Sequence, residues 1–131
     1  MVTAGTTTAN KKKILVVEDD LFLIRAYQIK LEKEGFEVMV ATEGTAAMDY
    51  LQKDPPDMVM LDLMLPGISG FDVLENIRKN PKWKGVPVIV LTNLGQEQDK
   101  KRVEELGVKD YIVKANVKIA DVIEKVKGYL K

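Results

Sequence analysis

Ile14-Leu15-Val16-Val17-Glu18-Asp19-Asp20 decides the fold. Four branched apolar residues in a row leave no polar face, the mark of a strand buried on both sides in a parallel sheet. The run ends abruptly in three carboxylates, and the period then changes. Over residues 21–34, Leu23, Ile24, Tyr27 and Leu31 share one face at helical spacing, and Gly35 stands where a C-terminal cap belongs.

The same strand–helix unit recurs four more times. Residues 36–41 read as a strand, and 42–53 as a helix with Ala46, Ala47, Tyr50 and Leu51 inward, stopped by Asp54-Pro55-Pro56. Residues 58–61 form the third strand, ending at Asp62. A loop with Pro66, Gly67 and Gly70 leads to a helix over 71–79 with Val73, Leu74 and Ile77 inward. A polar loop over 80–85 contains Trp83, expected to pack at the surface. The fourth strand, 87–91, ends at Thr92, and its helix, 96–106, has only Val103 and Leu106 as apolar anchors before Gly107. The fifth strand, 111–113, ends at Lys114. The last helix, 117–129, carries the stripe Ile119, Val122, Ile123, Val126 and Leu130, with Asn116 as the expected N-cap.

Strand and helix in alternation mean a parallel sheet covered by helices on both faces. Five strands are too few for an eight-stranded barrel. The expected α/β architecture is therefore a doubly wound (βα)5 sheet, five-stranded and parallel, with strand order 2-1-3-4-5 as in flavodoxin-like folds.

Composition narrows the chemistry. The 131 residues suit one domain. Residues 1–12, rich in Thr and Ala before Lys11 and Lys12, read as a flexible N-terminal arm, and 13–131 as the domain itself. Twenty basic and twenty acidic residues give no net charge, hence no global pull toward nucleic acid or an anionic membrane. Cysteine and histidine are both absent, which excludes disulfides, thiolate or imidazole metal sites, histidine triads and a phosphohistidine carrier role. No apolar run approaches the roughly 18 residues of a membrane span, and the N-terminus has no apolar stretch of signal-peptide type. Carboxylates, hydroxyls and lysines remain.

In open α/β sheets, ligands bind outside the carboxyl ends of the strands, where the strand order switches. There the first strand offers Glu18, Asp19 and Asp20, the third Asp62, the fourth Thr92 and the fifth Lys114. Clustered carboxylates repel one another unless a cation joins them. An all-oxygen set suits magnesium, with manganese as the alternative. An aspartate can itself be the nucleophile, giving an aspartyl phosphate. Thr92 would then donate to a phosphoryl oxygen, and Lys114 would neutralise charge during the transfer. Plainer readings exist for each residue alone: acids at a helix start, which is the assignment for Asp20, a loop cap for Asp62, a β-favouring threonine, a solvated lysine. Met48, Met58, Met60 and Met64 read as core or site-edge filler.

Taken together, four stretches resemble the receiver domain of two-component response regulators, the CheY-like superfamily. They are Ile14 to Asp20, Met60-Leu61-Asp62-Leu63-Met64-Leu65-Pro66-Gly67-Ile68-Ser69-Gly70, Val88-Ile89-Val90-Leu91-Thr92 and Asp110-Tyr111-Ile112-Val113-Lys114. The resemblance covers about residues 13–130. It implies a phosphorylation-dependent cytoplasmic signalling switch that catalyses only its own phosphorylation and dephosphorylation. Asp62 would be the phosphoacceptor. Asp19 would bind Mg2+ directly, Glu18 largely through water, and Met64 through its backbone carbonyl, with Asp62 completing the metal site. Thr92 and Lys114 would bind the phosphoryl group. Tyr111 matches the switch aromatic that follows Thr92, although half-buried packing explains it nearly as well. The surface of the fourth helix, fifth strand and fifth helix would then change its partner preference.

The implied partners are a sensor histidine kinase or histidine phosphotransfer protein and a downstream protein target. The chain would be a monomer or a phosphorylation-dependent dimer, stand-alone or detached from an output domain. No helix–turn–helix is present, so direct DNA binding is not expected. Two positions depart from the family pattern: Asn93, where a small residue is usual, and Ala115, where proline is usual after Lys114. Apolar Met64 and Leu94 would flank the path of attacking water and slow phosphoryl loss. Three rivals remain. A phosphohydrolase of the haloacid-dehalogenase type wants an acid where Met64 stands. A flavin module wants a phosphate loop where the three acids stand. A receiver-like domain without phosphorylation would not need the complete set.

Overall fold

The computed structural model describes residues 11–130, so all but the end of the expected N-terminal arm lies outside the described residues. The elements alternate as expected: β1 (Lys13–Val17), α1 (Leu21–Lys33), β2 (Glu37–Ala41), α2 (Gly44–Lys53), β3 (Met58–Leu61), α3 (Gly70–Lys79), β4 (Val88–Thr92), α4 (Glu97–Leu106), β5 (Asp110–Val113) and α5 (Ile119–Leu130). A single 3-10 turn, Lys114–Asn116, separates β5 from α5. The strands are all parallel in the order β2-β1-β3-β4-β5. The switch point therefore falls between β1 and β3, as the carboxylate-tipped strands require.

Side chains alternate across a strand, and here the alternation divides the core in two. Leu15, Val17, Val59, Leu61, Val88 and Val90 face α2, α3 and α4, meeting Leu51, Leu74, Ile77 and Val103. Ile14, Val16, Met58, Met60, Ile89, Leu91 and Ile112 face α1 and α5, meeting Tyr27, Leu31, Val122 and Val126. The interiors of β1, β3 and β4 are buried on both faces, which explains their unbroken apolar runs.

Three local expectations fail for identifiable reasons. Trp83 is not surface packing: it is 5% exposed and belongs to the α2–α4 side of the core. The polar residues around it disguise a ring that the loop folds inward. Tyr50 is exposed rather than inward, because the buried face of α2 runs through Gly44, Ala47 and Leu51. Asn116 does not cap α5. It ends the 3-10 turn, Val117 is extended, and α5 starts at Ile119, with the Asp121 and Val122 N–H groups donating to the Lys118 carbonyl. Asp20 does cap α1, accepting from the Leu23 N–H at 3.2 Å.

Two devices hold the loops around the sheet. Arg78, at the end of α3, donates to the carbonyls of Lys84, Val86, Leu106 and Gly107, joining the α3–β4 and α4–β5 connections. Gly70 opens α3 directly against the backbone at the end of β3. A Cβ there would collide with the Asp62 carbonyl and Leu63 Cα. Neither neighbour is a flexible side-chain end, so no cheap relief exists. Gly70→Ala is expected to destabilise the fold by at least about 1–3 kcal/mol, the usual cost of overpacking. Urea unfolding checks this, and an unchanged midpoint contradicts it.

Candidate phosphoryl and metal site

Each site residue continues a strand. The Glu18 N–H donates to the Ala41 carbonyl and the Asp62 N–H to the Val17 carbonyl, both at 3.0 Å, so the ladder extends one residue beyond β1 and β3. Both carboxylates are thereby held at the switch point, and both are buried. By alternation, Glu18 shares the side of Ile14 and Val16, Asp62 that of Met58 and Met60, and Lys114 that of Ile112. Thr92 shares the opposite side with Val88 and Val90.

The charged groups meet. Lys114 Nζ lies 2.5 Å from Glu18 Oε1 and 2.8 Å from Asp62 Oδ2. Glu18 Oε2 accepts from the N–H groups of Asp19 and Asp20, each at 3.1 Å. Asp62 Oδ1 accepts from the Met64 N–H at 3.0 Å. One carboxylate oxygen each from Glu18, Asp19 and Asp62 falls within 4.8 Å of the others, with Asp19 the exposed member. Burial pushes the Glu18 carboxyl above its ordinary range, and the Lys114 hydrogen bond opposes it. Burial pulls Lys114 down, but its bonds to Asp62 and Glu18 outweigh this and leave it above the ordinary lysine value. The pocket thus keeps its charges only by pairing them.

This donor set fits a hard divalent cation. Three carboxylates converge without nitrogen or sulfur ligands, and one of them faces solvent, where a magnesium ion keeps its waters. Asp20 stands apart as the helix cap. Met64 follows Asp62 closely, tied by its N–H, with its side chain exposed.

Thr92 is fully buried, and its Oγ1 accepts from the Leu94 N–H at 3.3 Å. The Tyr111 hydroxyl donates to the Leu94 carbonyl at 2.6 Å. Leu94 thus joins the two residues through its backbone, a role that its apolar side chain does not announce in the sequence. Ala115 does not displace Lys114. No peptide bond among the described residues is cis, and the 3-10 turn from Lys114 to Asn116 delivers the ammonium group to both acids. Asn93 is exposed. Tyr27 belongs to the apolar stripe of α1, yet it also lines the same narrow crevice as Glu18 and Asp62. It is the one residue of that stripe with a polar atom, and that was the signal available in the sequence.

Comparison with known proteins agrees with this geometry. Residues 14–127 match the family model of the response regulator receiver domain. The chain is 40% identical over 105 residues to the probable transcriptional regulator ycf27 of Cyanophora paradoxa, covering 80% of this chain and 43% of that protein. It is 41% identical over 102 residues to the phosphate regulon transcriptional regulatory protein PhoB of Rhizobium meliloti, covering 78% and 45%. The chain therefore spans less than half the length of these curated relatives. Among solved structures, the phosphorylated cyanobacterial phytochrome response regulator RcpA superposes with a TM-score of 0.79 at 34% identity, covering 91% of each chain. The Mn2+-bound form of response regulator Rcp1 gives the same score and identity over 92% of this chain and 95% of its own. A CheY-like receiver domain protein from Methanospirillum hungatei reaches 0.85 at 27% identity, covering 92% and 94%. With the fold, the strand-end acids and the lysine in place, this chain belongs to the response regulator receiver domain family of two-component signalling.

Proposed function

We propose that this receiver domain takes a phosphoryl group onto Asp62 from the phosphohistidine of a sensor kinase or a phosphotransfer protein. The observation that carries this reading is Lys114 Nζ held between Glu18 Oε1 and Asp62 Oδ2, with Asp19 converging on the same acids. A carboxylate oxygen of Asp62 forms the new P–O bond as the P–N bond of the donor breaks and imidazole leaves. Glu18, Asp19, Asp62 and the Met64 carbonyl would hold Mg2+ or Mn2+, which supplies charge neutralisation at the phosphoryl oxygens. Lys114 turns from Asp62 toward those oxygens, and Thr92 donates to one of them.

The Thr92 movement also explains signalling. Turning the hydroxyl toward the phosphoryl group breaks its bond with the Leu94 N–H, and the Leu94 carbonyl holds Tyr111. Val103 is the one buried residue of α4, so that helix has little holding it in one place. The α4–β5–α5 surface is therefore the face expected to change its preference for a downstream protein, or for a second copy of the chain. Leu21, Phe22 and Met64 give the pocket an apolar exposed rim, which suits a protein donor. The domain modifies only itself and works in the cytoplasm. Among the described residues no helix is long and apolar enough to cross a membrane.

Incubation with acetyl phosphate and magnesium is expected to add one phosphoryl group by intact mass, and none to Asp62→Asn. No adduct on the folded wild type contradicts the reading. Met64→Asn combined with Leu94→Thr is expected to speed adduct loss several-fold by opening the path of attacking water. An unchanged decay rate contradicts that role.

A further inference from the structure

The two halves of α4 are held very differently. At its C-terminal end, Arg78 Nε donates to the Leu106 and Gly107 carbonyls, each at 3.0 Å, and Nη2 donates to Gly107 again at 2.6 Å. Leu106 is the last residue of the helix and Gly107 its cap. Through Nη1 the same guanidinium donates to the carbonyls of Lys84 and Val86 at 3.0 and 2.9 Å, so it is also fixed to the connection before β4. Hydrogen bonds from an ionised donor are the strong ones, and a planar fork holds its acceptors in one geometry. Val103 is buried and Leu106 packs against the same side of the core, so the apolar anchors lie in this half too. Arg102, at the border, lies over the Phe71 ring of α3 at 4.3 Å.

The N-terminal half has no comparable hold. No residue from Glu97 to Lys101 is buried. Among the described residues, the side chains of this stretch make no ion pair, and their one hydrogen bond is local, from Gln98 to Gln96. Gln96 gives the helix no side-chain cap. This loosely held end is the one that follows Leu94, whose N–H is bonded to Thr92 and whose carbonyl is bonded to Tyr111. A change that starts at Thr92 therefore reaches α4 at its free end, and the fixed end lies beyond.

We propose that α4 is hinged, with Arg78 as the pivot: the change that begins at Thr92 and Leu94 displaces residues 95–101 and leaves residues 103–107 in place. The inference rests on the phosphoryl-switch reading of Asp62 and Thr92. It narrows the changing part of the α4–β5–α5 surface to the N-terminal half of α4, so a downstream protein that tells the two states apart does so at Glu97-Gln98-Asp99-Lys100-Lys101. Hinges of this kind sit at the ends of elements, where a few residues absorb the motion.

Amide hydrogen exchange, read by mass spectrometry of short overlapping peptides, is compared with and without acetyl phosphate and magnesium in wild type, Arg78→Lys and Asp62→Asn. Intact mass gives the extent of modification, and thermal unfolding shows that each protein is folded. In wild type, exchange across residues 94–101 is expected to change roughly fivefold or more, the equivalent of one net hydrogen bond, while residues 103–107 and 82–87 keep their rates. Asp62→Asn is expected to show no change. Arg78→Lys keeps the charge without the fork, and the change is expected to spread into residues 103–107. A wild-type change that covers α4 evenly, or that falls in its C-terminal half, overturns the proposal. So does a folded, phosphorylated Arg78→Lys with the wild-type pattern. If that variant does not fold, the wild-type pattern decides by itself. An adduct that leaves exchange in α4 untouched overturns the switch reading and the proposal with it, and no adduct overturns phosphoryl transfer itself, so the three failures are distinct.

Discussion

Lys114 bridging Glu18 and Asp62 is the contact on which the functional end of the molecule depends. Two buried carboxylates and a third beside them repel one another. One ammonium, itself largely withdrawn from water, bridges two of these carboxylates and offsets one of the charges. A buried pair of this kind is a poor source of net stability, because desolvation consumes most of the attraction. Its value lies in how readily it is exchanged. In the proposed reaction the acids would accept a metal ion and the lysine would turn to a new anion, with little change in the total charge held inside.

The alternation of side chains along parallel strands organises the rest. Glu18, Asp62 and Lys114 end up on the side of the sheet covered by α1 and α5, while Thr92 and Tyr111 belong to the side covered by α2, α3 and α4. The proposed chemistry and the proposed switch thus fall on opposite faces of one sheet and meet only at its edge. The helix on the switch side, α4, is also the one with a single buried residue. Arg78 ties its C-terminal end to the α3–β4 connection through the carbonyls of Leu106 and Gly107. Arg102 lies over the Phe71 ring at 4.3 Å and meets Glu75 at 3.5 Å. Both Arg102 contacts are partly exposed and of the kind that contributes modestly. The helix is therefore attached more firmly at one end than along its length.

Much of this was legible in the sequence. Runs such as Ile14-Leu15-Val16-Val17 and Val88-Ile89-Val90-Leu91 admit few structures, and the polar residues at their carboxyl ends are the candidate site residues. The failures arose where a single side chain was set by tertiary contacts. Trp83 enters the core because its loop folds back, a choice that its Lys and Asn neighbours conceal. Tyr50 turns outward because the buried face of α2 centres on Gly44, Ala47 and Leu51 and leaves it at the margin. Asn116 looked like a cap because the 3-10 turn before Val117 has no signature of its own. Ala115 stands where the family pattern has proline, and only the course of the chain shows where Lys114 falls beside it. The Leu94 link is made by backbone atoms, and sequence identity says nothing about those.

The central claim is that Glu18, Asp19 and Asp62 form one cation site whose charge Lys114 offsets only in part. The most direct measurement is the thermal unfolding midpoint against magnesium concentration, without any phosphodonor, for wild type and Asp62→Asn. A ligand that binds only the folded state raises the midpoint as its site fills. The account predicts a saturable rise for wild type and a much smaller one for Asp62→Asn. Equal curves for the two proteins, or a flat curve for wild type, would contradict it.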